Sequence, residues 1–418
     1  MAAINHFGGI IMESTFEHQS TTTYQKQVVA STASGFVLEN MDIMFLSFTL
    51  SSIISELHIS STVAGWIGTI TNFGMLVGGV IFGILADRIG RIKTFSHTIF
   101  IFALATAAMY FANNLTLIYV CRFLAGIGAG GEYGIGMAII AESFPRHQVG
   151  KITSIASIGG QVGALVAAFL AAWILPSFGW HALFLFGIVP VILTYFVRRH
   201  LKESPSFLKT LPTKKTTHNG LGHALKILFN SPQATRQTFS LMIMTIVQIA
   251  GYFGLMTWLP SIMQTRLHLT VGSSSLWMIS TIVGMSLGMA AFGLLLDKFG
   301  PRLTFGIFLL MAAVSVYLLL AAQNMQTLVL FGTIVGFFSN GMFGGYGAVI
   351  SQLYPTEIRA TANNIIMNVG RCVGGFSSVL IGILLDHFSI TIVILMLSIL
   401  YIISFISMLS IKNLKKLN

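Results

Sequence analysis

Charge is scarce in this chain. Only 8% of its 418 residues are Asp, Glu, Lys or Arg, against about 25% in a soluble domain. That excludes an ordinary soluble globular class. Cysteine is nearly absent, and Cys121 and Cys372 both fall in apolar stretches. A disulfide framework and a thiolate metal site are therefore excluded. No two histidines stand at metal-ligand spacing; His58, His97, His181 and His387 lie near the ends of apolar runs. No nucleotide-binding loop is present. Gly126-Ile-Gly128-Ala-Gly130-Gly131 matches the dinucleotide string, but no strand precedes it and no αβ unit follows. Without these features, and without a soluble stretch long enough for a catalytic domain, an enzyme is not expected, nor is ATP-driven transport.

Apolar sequence takes the place of charge. Hydrophobic residues make up 55% of the chain, in runs of the ~20 residues that a bilayer crossing requires. The runs predict an all-α membrane protein with twelve transmembrane helices: 28–56, 62–88, 92–113, 115–144, 147–176, 179–201, 234–264, 272–298, 301–323, 325–354, 357–386 and 389–411. They divide into an N-terminal six-helix bundle (28–201) and a C-terminal one (234–411). A polar linker (202–233) joins them, with an extension (1–27) before and a tail (412–418) after. Residues 1–25 lack a basic start and a small-residue cleavage site, so they are not read as a signal peptide; Met12 is an alternative start.

The formal charge is +11, but its placement argues against nucleic acid. All but three of the 23 Lys and Arg fall on one side of the predicted helices. Arg266 faces the other side, and Arg122 and Arg371 lie within spans. This positive-inside bias predicts that both termini are cytoplasmic. The expected large partner is the lipid bilayer, and a monomer is expected.

The chain also repeats itself 210 residues apart. Gly83-Ile-Leu-Ala-Asp87-Arg88-Ile-Gly90 returns as Gly293-Leu-Leu-Leu-Asp297-Lys298-Phe-Gly300. Gly74, Gly78, Gly126 and Pro145 fall on Gly284, Gly288, Gly336 and Pro355 in the same register. A duplicated unit in an apolar chain points to a transporter working between two halves. In the stripe Arg122, Gly126, Gly130, Gly134, the glycines are expected to let helices pack backbone to backbone.

The first copy continues Gly90-Arg91-x-Lys93 at a turn between two runs. Gly83 permits close helix approach, and Gly90 permits a turn with positive φ. Asp87 is placed to accept hydrogen bonds from another helix's N-terminus, where the dipole favours an anion. Arg88 and Arg91 hold the loop at the cytoplasmic face. Asp297 and Gly300 belong to the copy, which lacks the full basic set. Glu142-Ser-Phe-Pro145-Arg146 and Tyr354-Pro355-Thr-Glu357-Ile-Arg359 each end a run with Pro and an acid–base pair, and are read as gate elements. This loop and its repeat resemble the signature of the major facilitator superfamily over about residues 28–411. The resemblance implies two pseudo-symmetric six-helix bundles, alternating access and a plasma-membrane location, as in a bacterial inner membrane.

An ionisable residue inside a membrane is costly and is a functional candidate. Glu39 and Asp42 lie three apart, on one helix face. Arg122 and Glu132 share the 115–144 run, and Arg371 is central in 357–386. In the repeat, Asp42 falls on Tyr252, Glu132 on Met342, Arg122 on Gly332 and Gln161 on Arg371. The fold therefore does not demand these charges. Asp42, Glu132, Glu39 and Arg122 are candidates for proton coupling, because burial raises a carboxyl's pKa and a nearby Arg lowers it. Arg371 offers a fork that suits a carboxylate substrate. Tyr133, Gln161, Gln248, Tyr252, Asn340 and Asn368 complete the candidate substrate set. No cofactor is expected; the coupling ion is the proton. A structural ion pair between Arg122 and Asp42 is the plainer alternative.

Glu39-Asn-Met-Asp42, Gly130-Gly131-Glu132, Trp258-Leu-Pro260 and Gly370-Arg371 resemble the metabolite and organic-acid:proton symporters, including niacin, aromatic-acid and sialate carriers. Glu203-Ser204-Pro205-Ser206 lacks the Arg of the hexose porters' motif, so a sugar is less expected. The resemblance implies import of a small carboxylate with protons. A proton-antiport exporter and a non-transporting solute receptor are the alternatives.

Overall fold

The computed structural model describes residues 2–193, 201–203, 208, 220–253 and 271–416. Its helices are α1 (Ala2–Leu57), α2 (Ser61–Ile89), α3 (Arg91–Ala108), α4 (Leu115–Ser143), α5 (Arg146–Phe184), α6 (Leu221–Phe229) and α7 (Pro232–Phe253). They continue as α8 (Val271–Phe299), α9 (Pro301–Ser315), α10 (Met325–Gly341), α11 (Phe343–Leu353), α12 (Arg359–Gly375), α13 (Ser377–His387) and α14 (Ile390–Ser410).

Among the described residues, 9 segments are long and apolar enough to cross a membrane. One of them, Arg146–Leu193, has 48 residues and holds the predicted 147–176 crossing with residues 179–193 of the next; residues 194–200 of that one lie outside the described residues. The break was expected at Pro176-Ser177, but the helix runs through Pro176 and turns at Gly179, where φ is 75°. That left-handed backbone favours glycine. The apolar part of α1, together with α7, supplies the remaining predicted crossings. Residues 254–264 of the predicted 234–264 helix, with Trp258 and Pro260, lie outside the described residues.

Several boundaries differ from expectation; the predicted 301–323 helix, for one, stops at Ser315 and resumes over Leu318–Ala321. The helix of α1 runs back to Ala2, so the predicted extension before residue 28 continues it. The predicted 325–354 helix is interrupted at Met342, which is flanked by Gly341 and by Gly344-Gly345. The predicted 357–386 helix is interrupted at Phe376, after Gly374-Gly375. Clustered glycines weaken a helix interior. Within the predicted linker, α6 is a short amphipathic helix that buries Ala224 and Leu228.

The duplication is visible in the packing. The side chain of Asn114 caps the start of α4, accepting from Leu117 N at 2.8 Å. Its repeat partner Asn324 caps α10, accepting from Thr327 N at 2.9 Å. A Cβ on Gly78 would overlap the Ile127 carbonyl, and one on the matching Gly288 would overlap the matching Phe337 carbonyl. The halves meet where α2 packs on α12 and α5 packs on α8, a reciprocal pair of seams.

Candidate functional site

Two buried ion pairs lie between the helices. Asp42 on α1 receives Arg122 Nη1 from α4 at 2.9 Å and 2.8 Å, one distance to each carboxylate oxygen. Thr106 Oγ1 donates to the same carboxylate at 3.0 Å, and Arg122 Nε donates to Thr71 Oγ1 at 3.3 Å. The pair is therefore hydrogen-bonded as well as charged, which a buried pair needs. Glu39 is only three residues from Asp42 but pairs across the halves. Its Oε1 lies 2.6 Å from Arg371 Nη1 on α12, in ionic contact without hydrogen-bond alignment. Arg371 also sits over the Tyr133 ring, 5.8 Å from its centroid. Tyr133 in turn packs against Phe36 at 5.5 Å and Phe343 at 5.7 Å.

Glu132 is the third acid. It is buried, and neither carboxyl oxygen has a hydrogen-bond partner among the described residues. It lies close enough to Glu39 and Arg371 to feel both charges. Gly35 makes room for it, since a Cβ there would strike Glu132 Oε1. Three carboxyls thus share two guanidiniums in a buried setting.

A cavity of about 200 Å³ lies beside these pairs. Ligand pockets usually span ~300–1,000 Å³, so this one suits a small solute. Arg122, Arg371, Gln161, Tyr252 and Asn340 line it. Gln248 stands behind the wall and donates to Asn340 Oδ1 at 2.7 Å. Glu39, Asp42, Glu132 and Tyr133 lie behind the two arginines and do not line it. Asn368 is also outside the wall: its amide donates to the Gly130 carbonyl at 2.7 Å, across the halves. Asn40, Thr71 and Asn72 line the cavity without having been singled out from the sequence. A polar amide inside an otherwise apolar run was the available signal for Asn72.

The face bearing the 88–93 loop, the basic face, is shut by contacts between the halves. Asp87 accepts from the amides of Ala360 and Thr361 at 3.3 and 2.9 Å, at the start of α12. Asp297 accepts from the amides of Gly150 and Lys151 at 2.8 and 2.7 Å, near the start of α5. These are the same four positions, exchanged by the repeat. The C-terminal copy, weaker as a motif, makes the same pair of bonds. Gly83 allows the approach: its Cβ would come within 2.9 Å of Thr361 Cα. Gly90 and Gly300 turn with φ of 125° and 77°.

Arg91 ties the corner together. It reaches Asp87 at 2.7 Å, Glu142 at 3.1 Å and the Thr356 carbonyl at 2.6 Å. Ion pairs within each Pro motif were expected; each acid instead finds a partner outside its own motif. Glu142 meets Arg359 of the other half at 3.4 Å, while Glu357 lies 3.8 Å from His223 on α6. Arg88 and Arg146 are exposed.

Sequence reasoning missed Glu203 here. Gly90 cannot cap α3 with a side chain, and Glu203 does so from a distance. It accepts from the amides of Arg91, Ile92 and Lys93 at 2.8, 3.0 and 3.2 Å, three of the four donors a helix start leaves open. Burial pushes the Glu203 carboxyl up from its ordinary range, and the three amides pull it part of the way back.

Residues 32–291 and 241–416 match the Major Facilitator Superfamily profile. The chain belongs to the major facilitator superfamily. This transporter is 36% identical over 382 residues to a putative metabolite transport protein of Haemophilus influenzae, covering 91% of this chain and 94% of the relative. It is 28% identical to a putative niacin/nicotinamide transporter of Bacillus subtilis, covering 88% and 91%. It is also 28% identical to the cis,cis-muconate transport protein of Acinetobacter baylyi, covering 85% and 86%. Among solved structures, a proton:xylose symporter superposes with TM-score 0.77 at 18% identity, covering 93% of this chain and 96% of that one. An E. coli fucose:proton symporter gives 0.71 at 17% identity, covering 91% and 97%. The protein is thus a multi-pass membrane transporter of small molecules with the superfamily fold, not an enzyme. It is related to metabolite, niacin, aromatic-acid and sialate carriers.

Proposed function

We propose that the protein imports a small organic anion, an aromatic or other carboxylate, together with protons. The observation that carries this reading is the Glu39–Arg371 contact at 2.6 Å, with Glu132 beside it and without a hydrogen-bond partner among the described residues. Arg371 lines the cavity, and its fork suits a carboxylate. An entering carboxylate competes with Glu39 for that fork. Glu132 and the displaced Glu39 then form an acidic pair that is far cheaper to bury with a proton than without one. Arg122 in the same wall and Asp42 behind it make a second site, able to exchange a proton when the pair opens. Loading substrate and proton together leaves the charge of the interior nearly unchanged, so the halves can close over it.

By the positive-inside bias, the basic face is cytoplasmic, and both termini lie there. Asp87, Arg91, Glu142, Asp297, Arg359 and Glu203 then form the inner gate, which these contacts hold shut. Carriers named for niacin, muconate, gentisate and benzoate among the relatives support a carboxylate over a sugar.

Reconstitution in liposomes tests this directly. With an inward proton gradient, labelled nicotinate or benzoate is expected to accumulate, and labelled hexose is not. Efflux of cationic drugs with no uptake of any acid would replace this reading with an exporter.

A further inference from the structure

A groove on the outer wall of the C-terminal half shares no lining residue with the cavity. It lies between α9 and α14 at the basic end and encloses about 680 Å³. Leu303, Ile307 and Leu310 line one side, and Phe405 and Leu409 the other. Its depth comes from Gly306, whose missing side chain leaves only Met408 and Phe405 at 3.5 and 3.6 Å from where a Cβ would stand. Further along, Ser398 Oγ donates to the Ala313 carbonyl at 2.9 Å and holds the two helices together.

Cations stand at the basic end. Arg302 and Lys415 both line the groove, and Lys298 lies over the ring of Phe299, which lines it too, 5.1 Å from the centroid. Lys415 is held in place rather than trailing. Its neighbour Leu414 is buried, and Asn413 donates to Gln237 Oε1 on α7 at 2.9 Å.

The groove is not a by-product of the fold. In the repeat, Arg302 falls on Ile92 and Gly306 on Ser96. The N-terminal half therefore carries neither the cation nor the gap at the matching places.

We propose that this groove binds one anionic phospholipid of the leaflet at the basic face, its phosphate between Arg302 and Lys415 and an acyl chain along Gly306. The apolar wall belongs to two segments long and apolar enough to cross a membrane, Pro301–Ala321 and Ile390–Ser410, and the cations stand at their ends, where headgroups would lie. Basic residues near an anionic leaflet each attract such a lipid appreciably, and recessed basic sites between helices select it. This site is independent of which solute the transporter carries.

Native mass spectrometry of the purified, delipidated full chain tests it, with phosphatidylglycerol and phosphatidylcholine added at equal concentration. Phosphatidylglycerol is expected to bind at least ~10-fold more tightly, and R302Q/K415Q to lose that preference. Gly306→Leu fills the apolar part of the groove and is expected to weaken the bound lipid without touching a charge. Inorganic phosphate in excess is expected not to displace it. Equal binding of the two lipids, an unchanged preference in R302Q/K415Q, or full displacement by inorganic phosphate would each overturn the proposal.

Discussion

Neither carboxyl oxygen of Glu132 has a hydrogen-bond partner among the described residues, and the clearest residue-level predictions concern it and its neighbours. Glu132→Gln keeps the volume and removes the exchangeable proton. We expect it to retain substrate exchange but to lose accumulation against a gradient, as read by counterflow and uptake in liposomes. Asp42→Asn acts differently. It leaves Arg122 buried beside a neutral partner, and breaking a buried pair costs about 3–5 kcal/mol. A lowered thermal unfolding temperature in detergent is expected, with partial recovery when Arg122→Gln is added.

Glu203 gives a pH prediction. Its carboxyl lies above the ordinary range when folded, so the folded state holds its proton more tightly. The stability this contributes is full below the ordinary carboxyl range and is lost as pH rises through the raised one. Glu203→Gln has no such loss. Unfolding temperatures of wild type and variant, compared from about pH 4 to 7, are expected to shift in the variant's favour as pH rises. The acids inside the spans were legible in the sequence because charge is so rare there. Glu203 was not, because its partners are backbone amides about 110 residues away, and amides carry no residue-type signal.

At the scale of elements, the reciprocal bonds of Asp87 and Asp297 hold α2 to α12 and α8 to α5. Removing an N-terminal cap costs ~0.5–2 kcal/mol, enough to shift a two-state gate. Asp87→Ala and Asp297→Ala are each expected to raise the labelling of a cysteine placed at Gly150 or Thr361, and the double variant more than either. Equal labelling in all variants would show that these caps do not hold the gate. The glycine pair makes a matched prediction: Gly78→Ala and Gly288→Ala should each destabilise by about 1–3 kcal/mol through overpacking. Helix number and most boundaries were readable from apolar run length, and Asp87's target from the helix-dipole argument. The interruptions at Met342 and Phe376 were not placed in advance, because glycine serves both close packing and helix breaking, and only neighbours decide between them. Likewise, the partners of Glu142 and Glu357 were expected within their own motifs. The fold instead brings the two Pro motifs together and pairs Glu142 across the halves.

For the whole molecule, the gapless 210-residue register proved to describe an interface as well as a duplication, since Asp87 and Asp297 meet exchanged positions. Where the copies differ, the interior differs: Glu132 against Met342, and Arg371 against Gln161. Those differences set the charges around the cavity, and the proposed coupling of substrate to protons rests on them. The most direct test is proton movement during substrate entry. In liposomes containing a trapped pH dye, without an imposed gradient, external nicotinate or benzoate is expected to acidify the lumen as it enters, and Glu132→Gln to abolish that acidification while counterflow persists. Uptake with an unchanged or alkaline lumen in wild type would contradict the account.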